Sequence, residues 1–564
     1  GEVWILEVKR ARRSARGAVQ IAVDLAEAGV ISREDALMRV DPAHLEEQLH
    51  PAIDPDAPRR LVGQGLPASP GAAAGGLVFS PDAAEAAAAR GTTTILTLIE
   101  TSPEDIRGMH AAGGVMTEKG GMTSHAAVIA RGLGLPCVVG VIGMELDHRA
   151  RTLTAADGRV FKEGDVVTLD GSAGEILAGK TEMLEPALDG AFRTLMAWAD
   201  QAKDIGIRAN ADTPLDAEAA SRFEAEGIGL VRTEHMFFEE DRLTVMHEMI
   251  FAETAEERGA ALDRLLPMQR EVFLTLFDIM RGKPVCIRLF DPPLHEFLPN
   301  SKDGLLNLAE ALDLPMSTVT HRVEALSEFN PMLGMRGVRL GIAMPEIYDM
   351  QARAIFEATV DAAQRGATVC PEIMIPLVSA KREVELVKSR LDAVSAAVRT
   401  ERNVDFDFKL GVMVETPRAA LKAGEIADYA DFMSFGTNDL TQMTYGLSRD
   451  DAGRFMGAYV QQGVFPEDPF HTLDADGVGE LLNIAAKRGR EKRPELTLSI
   501  CGEHGGDPDS IDFCRKEAFD YVSCSPFRVP VARLAAAHLK LTEIPSEKKP
   551  RRFSILGKVL RNGS

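Results

Sequence analysis

One histidine in this chain stands where a glycine-rich loop runs into an apolar helical stretch: Gly120-Gly121-Met122-Thr123-Ser124-His125-Ala126-Ala127-Val128-Ile129-Ala130-Arg131. The first turn of a helix leaves backbone N–H groups without intrahelical partners, and the helix dipole favours negative charge there. A phosphoryl group carried on the His125 imidazole would therefore be partly neutralised on arrival. Thr123 and Ser124 are residue types that cap such a helix. Taken alone, a Gly-Gly-x-x-x-His is more often a surface histidine after an ordinary turn; the rest of the chain reverses that weighting.

A second set of polar residues closes short β-rich runs: Arg232, Arg288, Glu415, Asn438 with Asp439, and Cys501. Two arginines make forked contacts with a phosphate, and two carboxylates on neighbouring strands can hold Mg²⁺. A thiol opposite them could move a proton. The runs that would position these residues number eight: 206–210, 229–232, 285–289, 335–338, 373–376, 411–415, 432–436 and 496–501. They alternate with amphipathic stretches, which predicts parallel strands with crossover helices and, at that count, a TIM barrel over 201–540. Its active site lies at the carboxyl ends of the strands.

The elements upstream are read from punctuation. Residues 1–8 predict a strand, 15–28 and 33–39 helices, and His50-Pro51-Ala52-Ile53-Asp54-Pro55 a linker. Between 61 and 180, Val/Ile/Leu runs such as Gly75-Gly76-Leu77-Val78-Phe79, Val138-Val139-Gly140 and Val166-Val167-Thr168-Leu169-Asp170-Gly171 are cut by glycines, as in a compact unit of short strands. An Ala-rich helix is expected over 83–89 and a helical bridge over 181–200.

Composition sets the bounds. At 564 residues several domains are expected, and no apolar run approaches the length that spans a bilayer. A net charge of −22 repels nucleic acid and acidic membrane surfaces, so an anionic substrate must be held by a few local arginines or a metal. The six cysteines lack CxxC spacing, which argues for a reducing cytoplasm and against a zinc ribbon; apart from Cys501 they read as buried small hydrophobes. Arg336 and Arg339 could serve the site or equally be ion-paired, and they are left out of the core set. His235 and His504 are expected to hold a backbone or carboxylate in place.

The motifs resemble the pyruvate phosphate dikinase family of phosphoenolpyruvate (PEP)-utilising enzymes across nearly the whole chain. Thr117-Glu118-Lys119-Gly120-Gly121-Met122-Thr123-Ser124-His125-Ala126-Ala127 is similar to its phosphohistidine motif. Gly436-Thr437-Asn438-Asp439-Leu440-Thr441-Gln442 is similar to its barrel motif, and Cys501-Gly502-Glu503-His504-Gly505-Gly506-Asp507-Pro508 to its proton-donor loop. Leu230-Val231-Arg232-Thr233-Glu234-His235-Met236-Phe237 and Leu289-Phe290-Asp291-Pro292-Pro293-Leu294-His295-Glu296-Phe297 add two further ordered matches.

The resemblance implies a multidomain α/β chain: a remnant of a nucleotide-binding domain and a helical linker over 1–60, and a swivelling phosphohistidine domain over 61–180. A linker over 181–200, a PEP/pyruvate-binding (β/α)8 barrel over 201–540 and a basic tail over 541–564 complete it. It implies that His125 carries phosphate between ATP chemistry and PEP, and that Arg232 and Arg288 clamp the phosphoryl group. Mg²⁺ would sit on Glu415 and Asp439, Asn438 with the Gly436-Thr437 backbone would orient the substrate carboxylate, and Cys501 would protonate the enolate. Arg449 would add a phosphate contact, Thr123 would be a regulatory phosphorylation site, and the chain would form a homodimer through the barrel.

Gly1 in place of Met predicts a fragment, with ATP and phosphate used only if an upstream ATP-grasp domain exists. Where the family would show Gln-x-Arg, the sequence reads Leu6-Glu7-Val8-Lys9-Arg10. Three functions compete: a transferase interconverting PEP and pyruvate through phospho-His125, a phosphocarrier passing the group to a partner protein, and an idle regulatory paralogue. The intact set of His125, Glu415, Asp439 and Cys501 weighs against the last.

Overall fold

Ser14 and Ser32 open the first two helices among the described residues of the chain, here described from a computed structural model. Ser14 Oγ accepts the N–H of Gly17 at 3.2 Å and Ser32 Oγ that of Asp35 at 3.0 Å, satisfying donors that the first helical turn leaves free. Helix Ala15–Glu27 buries Val19, Ala22 and Val23, the i, i+3, i+4 spacing of a one-faced helix. The structure describes residues 13–543 apart from 47, 102–104, 123, 148, 156, 185, 187, 189, 239, 300, 329, 453 and 454. The strand expected at 1–8, the basic run 547–552 and Thr123 lie outside the described residues.

Seven strands close into a small barrel: β1 (Leu61–Ser69), β2 (Ala72–Val78), β3 (Thr94–Leu98), β4 (Gly114–Thr117), β5 (Cys137–Ile142), β6 (Val166–Asp170) and β7 (Glu175–Ala178). Around it they run β6-β7-β1-β5-β4-β3-β2. Strands β2 to β5 pair in parallel, which requires crossovers, supplied by helices α1 (Pro81–Ala89), α2 (Ile106–Ala111) and α3 (His125–Leu133). Leu77, Ile95, Met116, Val138 and Leu169 fill the barrel. Leu96, Met109, Val115, Ala126, Ala127 and Ala130 form a second layer beneath the helices, so α3 is fastened to the sheet through its alanine face.

A second closed barrel holds eight parallel strands: β8 (Gly206–Asn210), β9 (Ile228–Arg232), β10 (Val285–Arg288), β11 (Pro371–Ile375), β12 (Lys409–Val414), β13 (Phe432–Gly436), β14 (Thr497–Cys501) and β15 (Tyr521–Cys524). The eightfold barrel is the expected one, but one strand differs. Residues 335–338 form no strand: Gly337 adopts φ 59° and Val338 opens helix Val338–Ala343. The eighth strand is β15, which closes the ring by pairing Gly206 to Ala209 of β8 with Tyr521 to Cys524. Leu230, Cys286, Met374, Met413, Phe432 and Cys501 pack together inside, so the Cys501 sulfur belongs to the barrel interior. Cys137, Cys286, Cys514 and Cys524 are buried, whereas Cys370 is exposed, contrary to the expectation for it; it lies just before β11, where the chain enters the barrel. Among the described residues no helix is long and apolar enough to cross a membrane.

Candidate active site

The histidine loop leaves β4 through a fixed turn. Thr117 Oγ1 donates to the Lys119 carbonyl at 2.6 Å, and Lys119 N donates to the Ile99 carbonyl at 2.8 Å. Gly120 follows at φ 119°, where a side chain is disfavoured and a Cβ would come within 3.1 Å of Ser124 Oγ. Ser124 is the N-cap: its Oγ accepts the N–H of Ala127 at 3.4 Å, and its N–H donates to the Gly121 carbonyl at 3.0 Å. Arg131, on the same helix, donates to the Met122 carbonyl at 2.8 Å. His125 is thus the first helical residue of α3, the position from which backbone N–H groups point outward.

The mouth of the large barrel is built from strand-end residues in ion pairs. Asp212 accepts from Arg232 twice, from its backbone N–H at 2.7 Å and from its guanidinium at 2.8 Å, and His235 Nδ1 lies 3.0 Å from the same carboxylate. Burial alone would raise the Asp212 carboxyl, but Arg232 and His235 outweigh it and hold it well below the ordinary range. Arg288, buried, donates to Glu234 and lies 3.1 Å from Asp291. Among the described residues its Nε has no hydrogen-bond partner, and neither does Oδ1 of Asn438; buried polar atoms left this way are costly unless a ligand or water meets them.

Asp291, Glu415 and Asp439 bring one ligand oxygen each within 4.8 Å of one another. Burial, and then the Asp291 and Asp439 carboxylates, push Glu415 well above its usual range. Burial opposes ionisation of Asp291 too, but Arg288 and Arg336 prevail and keep it low. Three carboxylates gathered in this way suit a hard cation with oxygen ligands. Glu415 also accepts the N–H of Leu377 at 2.6 Å. Cys501 Sγ sits 3.7 Å from the Phe435 carbonyl, and burial raises its thiol, which therefore keeps its proton.

The helix α4 (Thr437–Tyr445) starts directly after β13, placing Thr437, Asn438 and Asp439 in its first turn. Gly436 is needed for space: a Cβ there would lie 2.7 Å from Glu415 Oε2. Thr437 Oγ1 lies 3.3 Å from the Cys501 carbonyl and 2.7 Å from Nδ1 of the buried His504, whose Nε2 meets the Pro469 carbonyl at 3.0 Å. His504 thereby ties the Cys501 loop to α4. Gln442 joins Asp439 to the Arg449 backbone by bonds of 3.2 and 2.8 Å.

Sequence reasoning missed four members of this cluster, among them Asp212, the partner of Arg232 and His235. Arg336 is ion-paired with Asp291 and, at 3.1 Å, with Asp439, which puts it inside the site it was left out of. Arg339 stays outside, donating to the Gly334 carbonyl at 2.8 Å. Asp291 and Glu234 both lie within quoted motifs just past strand ends, and that position is the signal that could have found them.

One cavity of about 800 Å³ lies between the two barrels. Lys119, Gly120, Gly121, Ser124 and Ala126 line it from the histidine side; Asp212, Arg232, His235, Asn438, Arg449 and Gly502 line it from the barrel mouth.

Residues 186–541 match the PEP-binding domain of PEP-utilising enzymes, and residues 91–174 match their mobile domain. The chain belongs to the PEP-utilising enzymes. As a PEP-utilising enzyme it is 56% identical to the pyruvate, phosphate dikinase of Rhizobium meliloti (strain 1021) over 538 residues, covering 95% of this chain and 60% of the relative. It is 47% identical to that of Clostridium symbiosum over 544 residues, 96% of this chain and 62% of the relative. The chloroplastic pyruvate, phosphate dikinase 1 of Arabidopsis thaliana is 50% identical over 541 residues, 95% and 56% respectively. The chain spans about three fifths of the length of the curated relatives it matches.

Proposed function

We propose that this chain transfers a phosphoryl group between PEP and His125, releasing or consuming pyruvate. The observation that carries the reading is the shared cavity: the loop and first turn around His125 and the Arg232 side of the barrel mouth line one space. The family and the names of the relatives favour the same end of the reaction, since those names couple pyruvate and phosphate in a dikinase.

In this reading PEP lies at the barrel mouth with its phosphoryl group toward Arg232 and Arg288. Arg232 is ready to turn from Asp212 to the phosphoryl oxygens, and the partnerless Nε of Arg288 supplies a second donor. Asn438 and the amino end of α4 bind the carboxylate. Asp291, Glu415 and Asp439 would hold Mg²⁺, which would offset charge developing on the enolate oxygen and the phosphoryl group. The neutral imidazole of His125 attacks phosphorus; the N–P bond forms as the P–O bond to the enolate breaks, and the first-turn N–H groups of α3 favour the charge that arrives. The Cys501 thiol gives its proton to the enolate carbon, and solvent reprotonates the thiolate.

A second reading, in which phospho-His125 passes its group to another protein, uses the same site and differs only in the acceptor. The test of the shared core is a single-turnover assay. Mixing the chain with excess PEP and Mg²⁺ should release close to one pyruvate per chain and then stop, and His125→Ala should release none. Continuous release from His125→Ala would mean that water, not His125, takes the phosphoryl group.

A further inference from the structure

The histidine helix is held at its other end as well. Helix α3 ends at Gly134, its C-cap, in the left-handed region at φ 63°, and a Cβ built on Gly134 would fall inside the van der Waals envelope of the Phe527 ring. Phe527 sits in the short 3₁₀ turn Pro526–Arg528 that follows β15, so it belongs to the large barrel while Gly134 belongs to the small one. The ring stacks on His50 of the linker, centroids 4.8 Å apart and planes 16° from parallel. Its other neighbour is Phe223, which it meets edge-on at 5.3 Å.

His50 is locked from the small barrel too. A Cβ on Gly71, at φ 110°, would lie 2.9 Å from His50 Cβ, and the Gly134 backbone hydrogen-bonds to the His50 ring. Burial lowers the imidazole to about 4, so it is uncharged at neutral pH and stacks as an apolar ring. The turn itself is braced: Arg528 donates to the Gly506 carbonyl at 3.1 Å. Cys524, Ser525, Pro526 and Arg528 also line the cavity shared with the histidine loop, so the stack is continuous with the wall of the site.

We propose that Phe527 is the seat on which the histidine helix lands, with Gly134 and His50 closing over it, and that this contact registers His125 on the barrel for phosphoryl transfer. The inference rests on the reading of His125 as the carrier. A helix is a stiff rod rising 1.5 Å per residue, so fixing the carboxyl end of nine-residue α3 also fixes where its amino end stands. Gly134 serves two needs at once, the left-handed cap and the close approach of an aromatic ring. Phe527 is a positioning residue; it acts on transfer and not on substrate binding.

The test uses three variants of the full chain: Gly134→Asn, Phe527→Ala and the double variant. Asn tolerates the left-handed cap and adds only the obstructing side chain. PEP affinity is measured by calorimetry with Mg²⁺, and the rate of ³²P transfer from labelled PEP to the chain by rapid quench. Gly134→Asn is expected to bind PEP like the wild type yet label about a hundredfold more slowly, the scale of loss for an ångström of misplacement. Phe527→Ala, which adds no bulk and keeps the test open if Gly134→Asn melts early, should also slow labelling without weakening PEP. The double variant should label no more slowly than Phe527→Ala, because the obstruction acts only through that ring. Wild-type labelling rates in either single variant, parallel loss of PEP affinity, or fully additive losses in the double variant would each overturn the seat. A wild-type chain that takes no label overturns the carrier reading itself, and the seat with it.

Discussion

The main-chain N–H of Leu377 donates to Oε1 of Glu415 at 2.6 Å, so the loop after β11 fixes the carboxylate that follows β12. Leu377 adopts φ 54°, a conformation that costs a non-glycine residue on the order of 1–3 kcal/mol and persists only where surrounding contacts enforce it. Gly337 shares the arrangement: its N–H donates to the Asp291 carbonyl at 2.7 Å, and a Cβ on it would crowd Leu377. Neighbouring loops thus set the positions of Asp291 and Glu415.

Gly436→Ala tests that support. The added methyl would press on Glu415 Oε2, and losing the orientation of a metal ligand typically lowers metal affinity about ten- to a hundredfold. Mn²⁺ titration followed by electron paramagnetic resonance should record that loss with little change in melting temperature. Unaltered affinity would show that the carboxylates tolerate displacement.

Glu415 also predicts a pH dependence. Burial, then Asp291 and Asp439, raise its carboxyl, so the folded chain keeps a proton that the unfolded chain releases above its ordinary value of 4.5. The stabilisation is complete below that pH and is lost as pH climbs toward the raised folded value. A divalent cation would take the proton's place. Melting temperature in EDTA should fall as pH rises above 4.5, and saturating Mg²⁺ should flatten the fall. Identical slopes with and without Mg²⁺ would remove the cation from these carboxylates.

Cys501→Ser is expected to bind PEP nearly normally and to lose pyruvate formation by about a hundredfold to ten-thousandfold, the usual share of a positioned proton donor. Methyl-proton exchange of pyruvate in deuterated water, followed by NMR, should fall with it. Exchange at the wild-type rate would exclude the thiol.

Much of this was legible in the sequence because the residues involved end strands. Arg232, Arg288 and Cys501 each close a run of apolar residues with a polar one, and seven of the eight runs are strands. The exception was decided by glycine. Met335-Arg336-Gly337-Val338 has strand-like composition, but its glycine turns the chain at φ 59° and aims Arg336 at Asp291 and Asp439. Strand β15 was missed because four residues, Tyr521–Cys524, are too short to show a period, and their pairing with β8 spans most of the barrel sequence. The Phe527 stack was invisible for the same reason: His50, Gly134 and Phe527 lie far apart in the chain.

Thr123 gives a further prediction by its place in the sequence. The helix cap falls on Ser124, so a phosphate two residues before His125 would bring close to two negative charges to the point where the phosphoryl group arrives. Thr123→Ser should accept label from PEP normally, whereas Thr123→Asp should accept far less. Equal labelling of both would leave Thr123 without a regulatory part.

In the proposed reaction His125 itself becomes phosphorylated by PEP. Incubation with PEP and Mg²⁺, followed by proteolysis at alkaline pH and mass spectrometry, should find one phosphate on the peptide containing His125. That phosphate should be lost in acid and kept in base, as an N–P bond requires, and should be missing from His125→Ala. Phosphate that survives acid, maps to another residue, or appears undiminished in His125→Ala would contradict the account.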